Sequence, residues 1–290
     1  MTARSRLPSP DASFIASRTV GEATVTVVSD GAFRWTPGFP VSNAEWRRAE
    51  PGADAEGRAW FGLNVVLVRI GAARIVVDPA FDAPGSRFER TFAKWAGLEV
   101  VRSPGLDAAL ALLDWDPVDV THVVITHPHG DHIGGLARER DGRIAPRFPN
   151  ARHLLGRADW NDAARDSEFR RPLAEVARHG LLDLVSGERE IAPGVTLVPA
   201  PGETVGHQVV RMESAGETAW VLGDLIHHAG EVAHPDWAPP HVDAAQVRAT
   251  RLALFPVLAR TGALVIVPHS PFPGWGHIVD AGDGFRLDPA

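Results

Sequence analysis

The sequence contains no cysteine and no tyrosine, and Lys94 is its only lysine. Disulfides, thiolate metal ligands and cysteine or tyrosine nucleophiles are therefore excluded, and a lone lysine argues against Schiff-base or phosphate-loop chemistry. No apolar run approaches the roughly 20 residues that a membrane-spanning helix needs. The first eight residues are polar and interrupted by Pro8, unlike a secretory signal, so a cytoplasmic protein with no membrane partner is expected. The formal net charge of −7, with basic residues dispersed, argues against nucleic acid as a partner. What remains for chemistry is His, Asp, Glu, Ser, Thr or a metal ion, acting on a small-molecule substrate.

With 290 residues, 44% of them hydrophobic and 22% charged, the chain has ample material for a buried core. A loose arm is expected to about residue 18, followed by a single domain over residues 19–290. Alternating apolar residues predict a strand over 23–28, ended by a turn at Ser29-Asp30-Gly31. Two β-branched runs within 62–78 read as a hairpin. Residues 87–96 and 106–113 carry helical periodicity. The clearest strand is 119–126, and helix-like and strand-like segments alternate again over 159–185. Further strands are expected near 196–200, 208–213 and 219–222, then a helix over 243–259 and a last strand at 264–267. Two sheets sandwiched between outer helices, an α/β fold of four layers in the order αββα, would bury these mixed elements.

Directly behind the 119–126 strand stands His127-Pro128-His129-Gly130-Asp131-His132, which places four potential ligands within six residues. In extended backbone, residues two apart point the same way, so His127 and His129 can serve one cation. Asp131 and His132, beyond the flexible Gly130, can turn to a second cation. Two cations roughly 3.5–4 Å apart can share a bridging oxygen.

The run Thr126-His127-Pro128-His129-Gly130-Asp131-His132-Ile133-Gly134-Gly135 resembles the HxHxDH signature of the metallo-β-lactamase superfamily. The resemblance implies a strand-end aspartate at Asp78 that supports the ligands, a metal-bridging Asp224 and a final histidine ligand at His269. The stretches Gly223-Asp224-Leu225-Ile226-His227 and 269–277 resemble the methyl parathion hydrolase branch of that superfamily. It implies two divalent transition metal ions, zinc first with manganese, iron or cobalt as alternatives, and a bridging hydroxide that attacks neutral ester-type bonds: aryl phosphotriesters, lactones or carboxylic esters. Asp131 and His227 are the expected catalytic side chains, His227 as a proton or hydrogen-bond donor to the substrate.

One position departs from the pattern. Where relatives carry a histidine ligand, Ala200-Pro201-Gly202-Glu203-Thr204-Val205-Gly206-His207 has Glu203. Three readings stay open: Glu203 ligates the metal, His207 substitutes for it, or the first site is weakened. A ligating Glu203 adds negative charge and favours neutral substrates over anionic ones. Phe272 and Trp275 are expected to wall the substrate pocket, and Trp35, Phe39 and Trp46 to form either a lid or a homodimer contact. His122, His153, His179, His228, His234 and His241 are read as surface or structural residues. A single-iron dioxygenase of the same fold and a non-catalytic binding protein are the competing functions.

Overall fold

Alternation of apolar side chains sets the architecture of the computed structural model, which describes residues 13–160 and 170–290. The first half contains β1 (Ile15–Val20), β2 (Ala23–Trp35), α1 (Asn43–Ala49), β3 (Ala59–Ile70), β4 (Ala73–Val77), α2 (Arg87–Ala96), β5 (Glu99–Arg102), α3 (Gly105–Leu112) and β6 (His122–Ile125). Then come α4 (Gly130–Ile133), the hairpin β7 (Ala137–Arg140) and β8 (Arg143–Pro146), β9 (Arg152–Gly156), α5 (Arg157–Trp160), α6 (Arg171–Arg178) and β10 (Leu182–Val185). The second half runs through β11 (Arg189–Ala192), β12 (Val195–Pro199), β13 (Gln208–Ser214), β14 (Glu217–Val221), α7 (Gly230–Ala233), α8 (Ala244–Thr261), β15 (Leu264–Ile266), β16 (Trp275–Asp280) and β17 (Phe285–Pro289).

Among the described residues, one sheet has the order β1-β2-β3-β4-β6-β9-β10 with β5 on the far end of β2, and the other runs β11 to β17 in sequence order. Successive residues of a strand face opposite sides. Thus Val66, Val68, Ile75, Val77 and Val124 meet Val210, Met212, Val221 and Ile266 between the sheets. Their neighbours Val65, Leu67, Val76, Val123 and Ile125 face outward against Leu106, Leu110, Leu173 and Val176 of α3 and α6. On the other side Trp220 and Val265 pack on Val247, Phe255 and Leu258 of α8. The four-layer α/β sandwich expected from the patterning is therefore the observed fold.

Three local expectations are corrected. The turn at Ser29-Asp30-Gly31 is a bulge within β2, which runs on to Trp35. Gly31 (φ +134°) lies so close to β5 that a Cβ there would stand 2.1 Å from the Val101 carbonyl oxygen, and the Asp30 carboxylate accepts from Arg102 and from the Phe81 N–H. The supposedly loose arm to residue 18 overlaps β1, which pairs with β2. The strand at 264–266 is not the last, because β16 and β17 extend the second sheet beyond it. Of the 159–185 segment, residues 161–169 lie outside the described residues. Among the described residues no helix is long and apolar enough to cross a membrane.

Phe255, fully buried between α8 and the second sheet, tests this packing. Phe255→Ala is expected to lower unfolding stability by about 3–5 kcal/mol, the transfer and cavity cost of a buried aromatic. Denaturant titration reads this as a reduced midpoint with an unchanged slope.

Candidate metal centre

Asp78 ends β4 in the left-handed region (φ +49°) and turns its carboxylate toward the end of β6. Its Oδ1 accepts from the Thr126 N–H at 2.8 Å, and its Oδ2 accepts from the Thr126 hydroxyl at 2.7 Å and from His132 Nδ1 at 3.0 Å. With its proton given to Asp78, the Thr126 hydroxyl accepts from His127 Nδ1 at 3.1 Å. Both imidazoles are thereby fixed with Nε2, bearing its lone pair, toward the same space. Metal-bound histidines are held in this way by a partner on the opposite ring nitrogen.

The second sheet brings up the rest. Asp224 follows β14 after Gly223 (φ +51°), where a Cβ would stand 2.6 Å from His207 Nε2. His207 gives its Nδ1 proton to the Ala200 carbonyl (2.9 Å), and its Nε2 accepts from the Asp224 N–H (3.1 Å). Its lone pair is therefore committed to the Asp224 backbone, which argues against His207 as the substitute ligand. His269 is clamped reciprocally by Gly62: the Gly62 N–H donates to the His269 carbonyl (2.9 Å), and His269 Nδ1 donates to the Gly62 carbonyl (2.8 Å). Asn64 steadies the same loop through the Pro268 and Ser270 carbonyls.

Two donor groups result, one of His127, His129, Glu203 and Asp224, the other of Asp131, His132 and His269, each with ligand atoms within 4.8 Å of one another. Asp224 joins them: its Oδ2 is 3.5 Å from His127 Nε2, and its Oδ1 is 3.3 Å from His132 Nε2 and 3.2 Å from His269 Nε2. His127 Nε2 and His129 Nδ1 face each other at 2.9 Å, and Glu203 Oε1 is 3.2 Å from His129 Nδ1. Asp224 Oδ1 and Glu203 Oε2 are buried without a hydrogen-bond partner. Buried acceptors of this kind are strongly unfavourable without a cation or proton facing them. The donor set, imidazole nitrogens with carboxylate oxygens, suits a divalent transition metal.

The electrostatics agree. Although burial opposes its charge, Asp224 is held well below the usual carboxylate range by His132, His269, His127 and His227. Glu203, equally opposed by burial, is held well below by His227, His129 and His241. Burial pushes His127 well below the usual imidazole range, and the cationic forms of His132 and His129 beside it act in the same direction.

Every histidine and carboxylate expected to ligate thus lies in one of these groups, and His227 stands beside them. Its Nε2 is 3.4 Å from Asp224 Oδ2 and 3.6 Å from Glu203 Oε2. Its Nδ1 faces Glu231 Oε1 at 3.3 Å, and the fully buried Glu231 is paired with Arg251 at 2.6 Å. Sequence reasoning missed both, since neither carries a local motif. His241, read as surface or structural, is exposed as expected and also borders the cavity lined by Asp131 and Asp224, with Nε2 3.1 Å from Glu203 Oε1. His228 packs against Trp46 and bonds to Glu50.

A cavity of about 450 Å³ opens onto Asp131, Asp224, His227, His241 and His269. Its apolar wall is Phe33, Trp35, Phe92, Trp95 and Leu98. Phe33 packs edge-on against His269, with ring centres 5.1 Å apart, and Trp35 lies 5.8 Å from His227. Phe272 and Trp275 are not among the lining residues and pack against the core between the sheets, so the expected pocket wall is corrected. The cause is strand alternation: Trp275 pairs with Ile266 in the sheet, and its side chain turns inward, with Arg18 over its ring. Of the three aromatics considered for a lid, Trp35 lines the cavity, while Phe39 and Trp46 are buried against each other and Phe39 against Trp237.

Comparison with known proteins agrees with this geometry. The N-acyl homoserine lactonase AttM of Rhizobium johnstonii is 29% identical over 197 residues, covering 61% of this chain and 70% of AttM. A probable metallo-hydrolase of Mycobacterium tuberculosis is 34% identical over 128 residues, 39% of each chain. The matches to N-acyl homoserine lactonases from Bacillus sp. and Bacillus cereus cover only 38% and 47% of those proteins. Among solved structures, AidC, described as a dizinc quorum-quenching lactonase, superposes with a TM-score of 0.78 at 21% identity, covering 95% of this chain and 97% of AidC. The hydrolase AbOPH superposes with a TM-score of 0.79 at 22% identity, covering 97% and 98%. The curated relatives thus point to a lactonase-like branch, where the sequence tail had suggested methyl parathion hydrolase. Residues 58–269, well over half the chain, match the family described as the Metallo-beta-lactamase superfamily, and the chain belongs to that superfamily of metal-dependent hydrolases.

Proposed function

We propose that the chain is a binuclear hydrolase of neutral lactones and related esters, with a lactone carrying an apolar acyl chain as the favoured substrate. One observation carries this reading: His129, Asp131, Asp224 and His269, drawn from both donor groups, form the floor of a cavity that is also lined by Phe33, Trp35, Phe92 and Trp95. The likeness to lactonases in sequence and in fold supports it. Divalent cations held by His127, His129, Glu203 and Asp224, and by Asp131, His132, Asp224 and His269, would supply Lewis acidity toward water and the substrate carbonyl.

The residues around that floor divide the remaining work. Phe33, Trp35, Phe92 and Trp95 exclude water and take the apolar part of the substrate, leaving its polar ring over the carboxylates. Asp131, which borders the cavity, is placed to take a proton from the attacking water. His227 is placed to donate from Nε2 to the oxygen that gains charge when the ester bond opens. The Glu231 carboxylate faces its Nδ1 at 3.3 Å and fixes the orientation of the ring. Glu203, Asp131 and Asp224 place three negative charges beside the cations, which disfavours substrates that are themselves anionic.

Turnover of acyl lactones of increasing chain length, aryl phosphotriesters and nitrophenyl esters tests the reading. Lactones are expected to react best, with KM falling about fourfold for each methylene buried, from roughly 0.8 kcal/mol per CH₂. Asp224→Ala is expected to lower kcat/KM by on the order of a thousandfold, since it removes the link between the two donor groups. Equal turnover of all three classes, or an active Asp224→Ala variant, would refute the assignment.

Metal removal should also be visible in stability. A chelator leaves Asp224 Oδ1 without a cation, so the thermal midpoint is expected to fall. At a free metal concentration 100-fold above Kd, each cation contributes about 2.7 kcal/mol. An identical midpoint with and without chelator would contradict cation binding.

A further inference from the structure

Beyond the two donor groups that relatives would predict, the structure brings together a third. Glu203 Oε1 is 3.1 Å from His241 Nε2, Glu203 Oε2 is 3.6 Å from His227 Nε2, and one ligand atom from each of the three residues lies within 4.8 Å of the others. A cation bound at roughly 2.0–2.2 Å to each of several tetrahedral donors separates those donors by roughly 3.3–3.6 Å. The two carboxylate–imidazole spacings fall close to that range, and the two imidazoles offer ligand atoms within 4.8 Å of each other.

We propose that Glu203, His227 and His241 form a third divalent-cation site, with the Glu203 carboxylate bridging it to the first donor group as Asp224 bridges the first to the second. The inference concerns the same site and rests on the reading of the first two groups as cation sites.

Three features support it independently of the spacing. His227 is backed on Nδ1 by the Glu231 carboxylate, itself paired with Arg251, which parallels the Asp78 backing of His132. A carboxylate behind an imidazole fixes the opposite nitrogen as a donor and raises its basicity. Second, Glu203 Oε2 is buried and has no hydrogen-bond partner. Third, the two loops are tied together, because the Asp243 N–H donates to the Gly202 carbonyl at 3.0 Å. His241 and Glu203 are therefore held in register.

The replacement at position 203 acquires a physical reason. A histidine there would offer one lone pair to one cation, whereas a carboxylate presents two oxygens in different directions. Oε1 faces His129 and His241, and Oε2 faces His227. The His241 side chain is 46% exposed, so the third position opens to solvent and shares Glu203 with a neighbouring cation. Weaker binding than in the first two positions follows. A cation there also takes the Nε2 lone pair of His227, the atom that would otherwise carry the proton offered to substrate, so occupancy would tune the reaction.

The 290-residue chain, stripped with chelator and dialysed against buffers of defined free zinc, gives the stoichiometry directly by elemental analysis. Three zinc ions per chain are expected at saturation, the third at least tenfold weaker than the others. His241→Ala, and the more conservative His241→Gln, are expected to retain two and lose the third, with circular dichroism confirming an unchanged fold. Cobalt loading gives a second readout: the visible absorption added by the third equivalent should be absent from both variants. Saturation of the parent protein at two ions overturns this proposal alone. Saturation below two overturns it together with the binuclear reading, and a third ion that persists in both His241 variants overturns the assignment of the site to these residues.

Discussion

The Asp78 carboxylate is the constraint on which the centre depends. It ends a strand of the first sheet in a left-handed conformation that aspartate tolerates better than most residues, and from there takes three hydrogen bonds. One fixes the backbone of the β6 exit, one fixes the Thr126 hydroxyl that orients His127, and one orients His132. A single buried charge thus sets the tautomers of two imidazoles in different donor groups. Without it the lone pairs would have no preferred direction, and an ion would have to supply the ordering itself.

The sandwich then brings residues distant in sequence to that carboxylate. β4 and β6 are parallel neighbours, so Asp78 and the histidine run emerge at the same end of the first sheet. In the second sheet β14 and β15 are parallel neighbours, so Asp224 and His269 emerge together. The contact between the sheets is close at this end: Gly62 of β3 meets His269, and a Cβ on Gly62 would stand 2.3 Å from the Ser270 carbonyl oxygen. Packing of the inner faces and geometry of the centre are therefore one problem. A core that separated the sheets by even an ångström would part Asp224 from the histidines of the first.

How much of this could be read in the sequence follows from where each signal lies. The run 127–132 was legible because its donors are local and follow an apolar strand. Asp78, Asp224 and His269 became legible only through the likeness of their surroundings to a known family, since one aspartate at the end of a strand carries no signature of its own. His241 was missed because its partner, Glu203, is 38 residues away and the intervening chain gives no hint that the two loops meet. The wall was misplaced for a related reason. Phe272 and Trp275 are near His269 in sequence, but β16 turns Trp275 between the sheets. Phe92 and Trp95 belong to α2, whose periodicity shows a helix without showing that part of its surface reaches the site. The bulge in β2 hid half a strand because a bulge breaks the alternation by which strands are recognised.

The buried Glu203 carboxylate illustrates a wider balance. A carboxylate buried this deeply would be costly beside Asp224 and Asp131 alone, because like charges in a poorly solvated space repel strongly. Here it is ringed by imidazoles from three separate elements: His129 after β6, His227 after β14, and His241 ahead of α8. Two of these have no place in the HxHxDH run. Glu203 is thus stabilised by His227 and His241, imidazoles that lie outside its own segment. Both border the same cavity as Asp224, so the groups that local sequence signals describe least well face the same space as the donor groups.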